Sequence, residues 1–187
     1  TRSLVVGALD GPSIISQIVD ALKSYTYLDQ AAIQEVDIHE GLDSTLTIMR
    51  NRFESGVTVK KEYAADLPKI LAHGSELNQV WTNILDNAAY ALGGQGVVTI
   101  RTSHDGNAVV LEIEDNGPGI LPGDQGKVFD AFFTSKPAGH GAGLGPNTSY
   151  NIVVQQHGGE IKVFSEPGKT CFQVRLPINF EALQRDV

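Results

Sequence analysis

The sequence has almost no cysteine, few positive charges and no long apolar run. A single cysteine, Cys171, excludes an internal disulfide and supplies no thiolate zinc cluster. One lone thiol fits a reducing compartment, so a cytoplasmic location is expected. No apolar stretch approaches the roughly 20 residues that a membrane-spanning helix needs, and no basic–apolar–small leader opens the chain. Direct membrane contact from this segment is therefore not expected. Lysine and arginine number 14 against 22 aspartates and glutamates, a formal net charge of −8. That balance argues against nucleic acid or anionic lipid as a partner held by bulk charge. It leaves room for a phosphate ligand, because a local pocket can override the global sign.

What the chain does have is a core: 41% of its 187 residues are hydrophobic, enough for one full domain and a fragment of another. Residues 13–29 place Ile14, Ile15, Ile18, Val19, Leu22 and Tyr25 near helical spacing behind a plausible N-cap, Ser13. This one-sided stripe has little nearby to pack on, and reads as one arm of a bundle or dimer. Residues 30–36 read as a linker, and Asp37 as the cap of a helix over about 39–53. From residue 57 the pattern changes: a strand over 57–63, a short one over 69–72, and a helix over 75–92 that stops at Gly93-Gly94. Strands at 96–103 and 108–115 form a hairpin through Asp105-Gly106-Asn107. Residues 116–145 are glycine-rich and aperiodic, which in a compact domain marks function. A helix over 147–157 and strands at 160–166 and 170–177 follow. Helices alternating with a mostly antiparallel sheet predict an α+β, two-layer α/β sandwich.

Four stretches carry chemistry. On helix 75–92, Val80, Trp81, Ile84, Leu85, Ala88, Ala89 and Leu92 form one apolar stripe, with Asn83 and Asn87 one turn apart at its edge. Two readings are open for these amides. Either they bond to nearby loop backbone, or Asn87 offers its carbonyl oxygen to a hard cation while Asn83 faces phosphate. In the strand before "DNGPGI", Val109, Leu111, Ile113 and Asp115 share parity, so an apolar face ends in a carboxylate. A buried charge needs a partner, and no lysine or arginine adjoins it. An adenine amino group would serve, with Gly117 and Gly119 letting the backbone approach the ring; a plain Asp-Asn-Gly turn is the alternative. Thr170 ends a second apolar face, that of Phe172, Val174 and Leu176, or is simply a β-branched strand residue. "GHGAGLGPN" alternates Gly139, Gly141, Gly143 and Gly145 before a helix that Pro146 suits at its first position. No Lys-Ser/Thr follows, and the dinucleotide spacing fails at Leu144. Either helix-start amides attract phosphate here, or this is a flexible loop. Between these stretches, Phe129, Phe132 and Phe133 could dock a lid whose Lys136 reaches toward phosphate.

In this order the motifs (Asn83 and Asn87; DNGPGI with Asp115, Gly117, Gly119 and Ile120; FFTSK with Lys136; and GHGAGLG with Gly139, Gly141, Gly143, Leu144 and Gly145) resemble the ATP-binding catalytic domain of sensor histidine kinases. That superfamily is shared with DNA gyrase and MutL. The likeness covers about residues 57–177. It implies a Bergerat sandwich binding ATP and Mg²⁺, with Asn87 as the metal ligand, Asp115 as the adenine anchor and Thr170 as a second adenine contact. Residues 13–29 look like the second helix of the histidine-bearing dimerisation hairpin. The implied organisation is a partial dimerisation helix and linker over 1–36 and a catalytic domain over 37–187, with 39–53 as connecting helix. Where ATP-hydrolysing relatives carry a glutamate base one turn before the metal asparagine, this chain has Asn83, an amide that cannot take a proton. The γ-phosphoryl is then expected to pass to a histidine, and next to a response-regulator receiver aspartate. Partners implied are that receiver domain and the chain's own hairpin, through which it would be a homodimer.

No acceptor histidine is expected in this chain. "HEGLDSTL" around His39 imitates an acceptor motif but lies after the linker, where the family has its connecting helix. His73, His104 and His157 read as structural or solvated. The chain is thus expected to begin inside a longer protein. Pro146, His140 and Ala142 depart from the usual second glycine box, which keeps open a non-catalytic nucleotide-sensing module. A MutL- or gyrase-like ATPase is the other alternative.

Overall fold

A computed structural model of the chain describes Ile15, Ile18, Val19 and residues 33–53, 56–137 and 141–179. Ile15, Ile18 and Val19 are helical, with Ile15 and Val19 exposed. The rest of the 13–29 stripe, and Gly139 and His140 of the glycine loop, lie outside the described residues.

The first element is one the sequence did not signal. Gln34–Val36 (β1), expected as linker, is a strand pairing antiparallel with Ile70–Ala72 (β3). Three residues are too few for alternation to register, and the pairing depends on a partner more than thirty positions away. Asp37 then caps Ile38–Ile48 (α1) as expected, its carboxylate accepting from the amides of His39 (2.9 Å) and Glu40 (3.2 Å). The expected single helix is broken at Met49, and Arg50–Phe53 (α2) continues it. The His39 ring stacks on Tyr63 at 4.1 Å and meets Thr102 Oγ1 at 2.8 Å, contacts that belong to structural packing.

Val57–Glu62 (β2), Gly96–His104 (β4), Ala108–Asp115 (β5), Glu160–Glu166 (β6) and Lys169–Pro177 (β7) form one sheet in the order β2-β4-β5-β7-β6. β2 runs parallel to β4 and the other neighbours are antiparallel. Alternation decides the two faces. Val98, Ile100, Leu111, Ile113, Phe172, Val174 and Ile161 are buried under the helices. On the opposite face Arg101 pairs with Glu62 (2.7 Å) and Glu114 (2.9 Å), and Gln173 donates to Glu112 (2.8 Å).

Gly74–Leu92 (α3) supplies the covering layer. Its Leu77, Val80, Trp81, Ile84, Leu85 and Ala88 are buried, and it ends at Gly93 with a left-handed φ of 57°. The irregular 116–145 region holds a four-residue helix, Pro122–Gln125 (α4). The expected helix 147–157 is Gly145–Tyr150 (α5) running into a π-helical segment, Asn151–Gln156. Among the described residues, no helix is long and apolar enough to cross a membrane.

His157 explains how the π segment closes. It is almost fully buried. Its Nδ1–H donates to the Ile152 carbonyl (2.7 Å), and its Nε2 accepts the His73 amide (3.1 Å). Both ring nitrogens are thereby assigned for the neutral ring. Burial pushes its pKa below the usual histidine value, with His73 adding repulsion, while the Ile152 carbonyl and Glu76 act in the opposite sense. A depressed histidine pKa contributes stability above the unfolded value, near about 6.5, that is lost as pH falls. His157→Gln should cost about 1–3 kcal/mol at pH 7.5 by leaving buried groups short of partners. The wild type should then lose more stability than the variant between pH 7.5 and 5.5. Urea denaturation at both pH values tests this, and parallel losses would refute it.

Candidate functional site

Sheet register assembles one end of the site. Asp115 on β5 lies opposite Thr170 on β7, and Thr170 lies opposite Ser165 on β6. Directly opposed residues share a face, so three oxygen-bearing side chains stand in a row where the apolar helix-facing surface ends. Asp115 is 4% exposed, and among the described residues no cation pairs with it. It accepts one hydrogen bond, from the Gly117 amide at 2.9 Å. Burial pushes its pKa up to about 6, partly opposed by the Gly117 amide and assisted by Glu114. The carboxylate is thus under-satisfied and sits beside Thr170, as its strand parity anticipated.

The turn after Asp115 is held tightly. Asn116 Oδ1 accepts the Val97 amide at 2.7 Å. A Cβ on Gly117 would sit 2.8 Å from Asp115 Oδ1 and 3.2 Å from Ala91 Cβ. Gly119 has φ +87°, and a Cβ there would fall 2.4 Å from the Glu166 carbonyl oxygen. The next residue, Ile120, donates its amide to Ser165 Oγ at 2.8 Å. Gln125 Nε2 bridges the carbonyls of Ile120 (3.1 Å) and Ser165 (2.9 Å).

The other end is built on α3. Asn83 Nδ2 donates to the Gly145 carbonyl (3.1 Å) and to Ser149 Oγ (3.2 Å), so this amide fastens the start of α5. Asn87 Oδ1 accepts from Lys136 Nζ at 3.1 Å. The same ammonium lies 3.8 Å from Asp86 Oδ2 and 4.5 Å above the Tyr90 ring, and its side chain is 16% exposed. Asp86 also meets Arg52 of α2 at 3.3 Å. Lys136 therefore folds onto α3 rather than extending into solvent. Two oxygens, one neutral and one anionic, already face a cation there, which is the donor chemistry of a hard metal ion. Among the described residues no cluster of three or more His, Cys, Asp or Glu could hold a metal alone, so a metal here would need ligand oxygens or water as well.

The loop between the two ends closes on itself. Phe129 docks against Tyr150 (5.9 Å) and Phe172 (6.2 Å), and its carbonyl accepts from Asn147 Nδ2 at 2.9 Å. Phe132, expected to dock as well, is 75% exposed. Its part is played by the backbone: with φ 67°, it donates its amide to the Gly143 carbonyl at 3.0 Å. Gly143 has φ +68°, and a Cβ there would lie 2.5 Å from Phe132 C, so this crossing requires glycine. A Cβ on Gly141 would come within 3.2 Å of Lys136 Cδ. Leu144 is half-exposed just before α5, and Pro146 lies in the first turn.

Sequence reasoning missed Asp86, Tyr90, Ser165, Gln125 and Asn147. Ser165 was within reach, since the two-residue turn Pro167-Gly168 sets it opposite Thr170. The others act through contacts with distant segments and left no local signal.

Against known proteins, residues 72–179, more than half of the chain, match the model of the histidine kinase-, DNA gyrase B- and HSP90-like ATPase family. The sensor histidine kinase ZraS of Escherichia coli is 34% identical over 168 residues, 89% of this chain and 35% of that protein. The mycobacterial sensor histidine kinase MprB superposes with a TM-score of 0.68 at 31% identity, covering 77% of this chain and 96% of that one. Full-length ShkA, solved in complex with AMPPNP, superposes with a TM-score of 0.69 at 29% identity over 86% of this chain and 35% of that one. The chain spans about a third to a half of the length of the curated relatives it matches. With its two-layer α+β sandwich and its ordered asparagine, glycine and phenylalanine boxes, it belongs to the histidine kinase-, DNA gyrase B- and HSP90-like ATPases, among the catalytic domains of sensor histidine kinases.

Proposed function

We propose that this chain is the ATP-binding catalytic module of a two-component sensor histidine kinase, and that it passes the γ-phosphoryl of ATP to a histidine outside this chain. A response-regulator aspartate is the next acceptor. The observation that carries the reading is Asp115: a buried carboxylate, with no cation paired to it among the described residues, at the end of an apolar sheet face and opposite Thr170, where this reading puts the adenine slot. The exocyclic amine of adenine is the donor such a group lacks, and Thr170 offers a second polar contact. Gly117, Gly119 and Ile120 bring the backbone close to the ring. Gly139, Gly141, Gly143, Leu144 and Gly145 would serve on the phosphate side in this reading, with Asn83 holding Gly145 to α3.

Phosphoryl transfer is mostly a matter of position and charge neutralisation. Asn87, with Asp86 beside it, would hold Mg²⁺, and the ammonium now on Asn87 Oδ1 is a cation in the place such an ion would take. Bound there, the metal would neutralise charge between the phosphates. Lys136, displaced from Asn87, is then free to meet phosphate oxygens. Asn83 is an amide with no basicity toward water, so the γ-phosphoryl is kept for the histidine. In this reading residues 1–36 carry the dimerisation hairpin and its linker, whose last strand, β1, docks on the catalytic domain 37–187 through β3, in a cytoplasmic homodimer. In the full-length protein, radiolabelled Mg·ATP should produce an acid-labile phosphohistidine on the hairpin. Steady phosphate release with no label on histidine would overturn the reading in favour of an ATPase.

Asp115→Asn should weaken ATP binding about 10-fold or more, the worth of one charge-assisted hydrogen bond. Its melting temperature at pH 7.5 should be no lower than that of wild type. The sign follows from the raised pKa: the stability linked to this group is present at low pH and lost as pH rises through about 6. Wild-type ATP affinity should accordingly fall as pH drops below about 6, and calorimetry showing a flat profile would exclude Asp115 as the amine acceptor.

Lys136→Met should slow single-turnover transfer by roughly 100-fold while changing ATP affinity much less. An equal loss in affinity and rate would mean that Lys136 serves binding alone.

A further inference from the structure

Ser165 has more contacts than its place near a hairpin turn requires. Its Oγ accepts the Ile120 amide (2.8 Å), lies 2.9 Å from Thr170 Oγ1, and reaches the Lys169 carbonyl at 3.2 Å. A serine hydroxyl has one proton and two lone pairs. The Ile120 N–H uses one lone pair, which leaves two arrangements. If the Ser165 proton goes to the Lys169 carbonyl, the second lone pair receives the Thr170 proton, and Thr170 shows the slot only lone pairs. If it goes to Thr170 Oγ1, the Thr170 proton is released toward the slot. The Thr170 contact is the shorter of the two, and the Lys169 contact is solvent-exposed, so the second arrangement is favoured.

That choice matters for a purine. On adenine the amino group stands next to N1, a ring acceptor. Guanine shows the reverse, an oxygen beside an N1–H. Asp115, an acceptor, selects the amino group. A donor beside it completes the adenine pattern, whereas an acceptor there would mismatch N1. We propose that Ser165 is a positioning residue for purine recognition: by donating to Thr170 Oγ1 while accepting from Ile120 N–H, it turns the Thr170 proton toward purine N1, directly or through one water. The same hydroxyl ties the first glycine box to the β6–β7 hairpin, with Gln125 as a second fastening. Closure of that box on the ring and the polarity of Thr170 are thus set by one side chain. The inference rests on the ATP-binding reading and adds a residue to it.

The test compares Mg·ATP with its 1-deaza analogue, which lacks N1, by calorimetry on the whole chain. Wild type should bind the analogue about 10-fold more weakly than ATP, the worth of one hydrogen bond. Ser165→Ala should bind ATP about that much more weakly, yet discriminate little between ATP and the analogue. Ser165→Thr, which keeps the hydroxyl, should restore the discrimination. Ser165→Cys fills the same space with a weak donor and should also discriminate little, which keeps the comparison readable if the alanine variant unfolds. An undiminished ratio in the alanine or cysteine variant, with weaker binding of both ligands, means that Ser165 only supports the fold, and overturns the proposal. A wild type that binds neither nucleotide overturns the ATP reading itself.

Discussion

Burying a carboxylate costs roughly several kcal/mol unless partners are supplied, and Asp115 is buried with a single backbone amide from Gly117. The surrounding architecture makes sense as the support for that cost. Burial at the end of the apolar faces of β4, β5 and β7 desolvates the group. The register of three strands aligns Asp115, Thr170 and Ser165 on one face of the sheet. Gly117 and Gly119 are glycines because carboxylate and carbonyl oxygens lie where their Cβ atoms would be. An under-satisfied carboxylate at the end of an apolar sheet face is a poor stability element and a good receptor for a donor. That contrast is the physical content of the site.

The opposite end follows a complementary logic. There the chain supplies its own cation, since Lys136 donates to Asn87 and pairs with Asp86 from a loop whose backbone crosses itself at Phe132 and Gly143. The ammonium itself is held by one hydrogen bond, one long ion pair and the face of Tyr90. Arg52 on α2 shares Asp86 with Lys136. Lys136 is therefore one contact away from α2, although a pair this exposed contributes little by itself.

Much of the fold was legible because its signals are local. Strict alternation in β5 and β7 placed Asp115 and Thr170 on the inner face, and the stripe of α3 told which side it buries. Asp37, Gly93 and the Asp105-Gly106-Asn107 turn marked boundaries within a residue or so. The failures share a cause. β1 looked like linker because three residues carry no period. The second half of the helix expected over 147–157 is a π segment, at whose end His157 meets the carbonyl of Ile152 and an amide 84 positions away. Phe132 looked like a docking aromatic, and the fold uses its backbone instead.

Periodicity, caps and turn residues depend on neighbours a few positions apart, so the sequence alone determined the element order from α1 onward, the buried faces and the places of Asn83, Asn87, Asp115 and Thr170 on them. Tertiary structure alone decided which polar atoms meet: Lys136 with Asn87, 49 residues apart, Ile120 with Ser165, 45 apart, and Arg52 with Asp86. These contacts are set by loop closure and strand register. Both are collective properties of the packed chain that no single segment carries in its own composition.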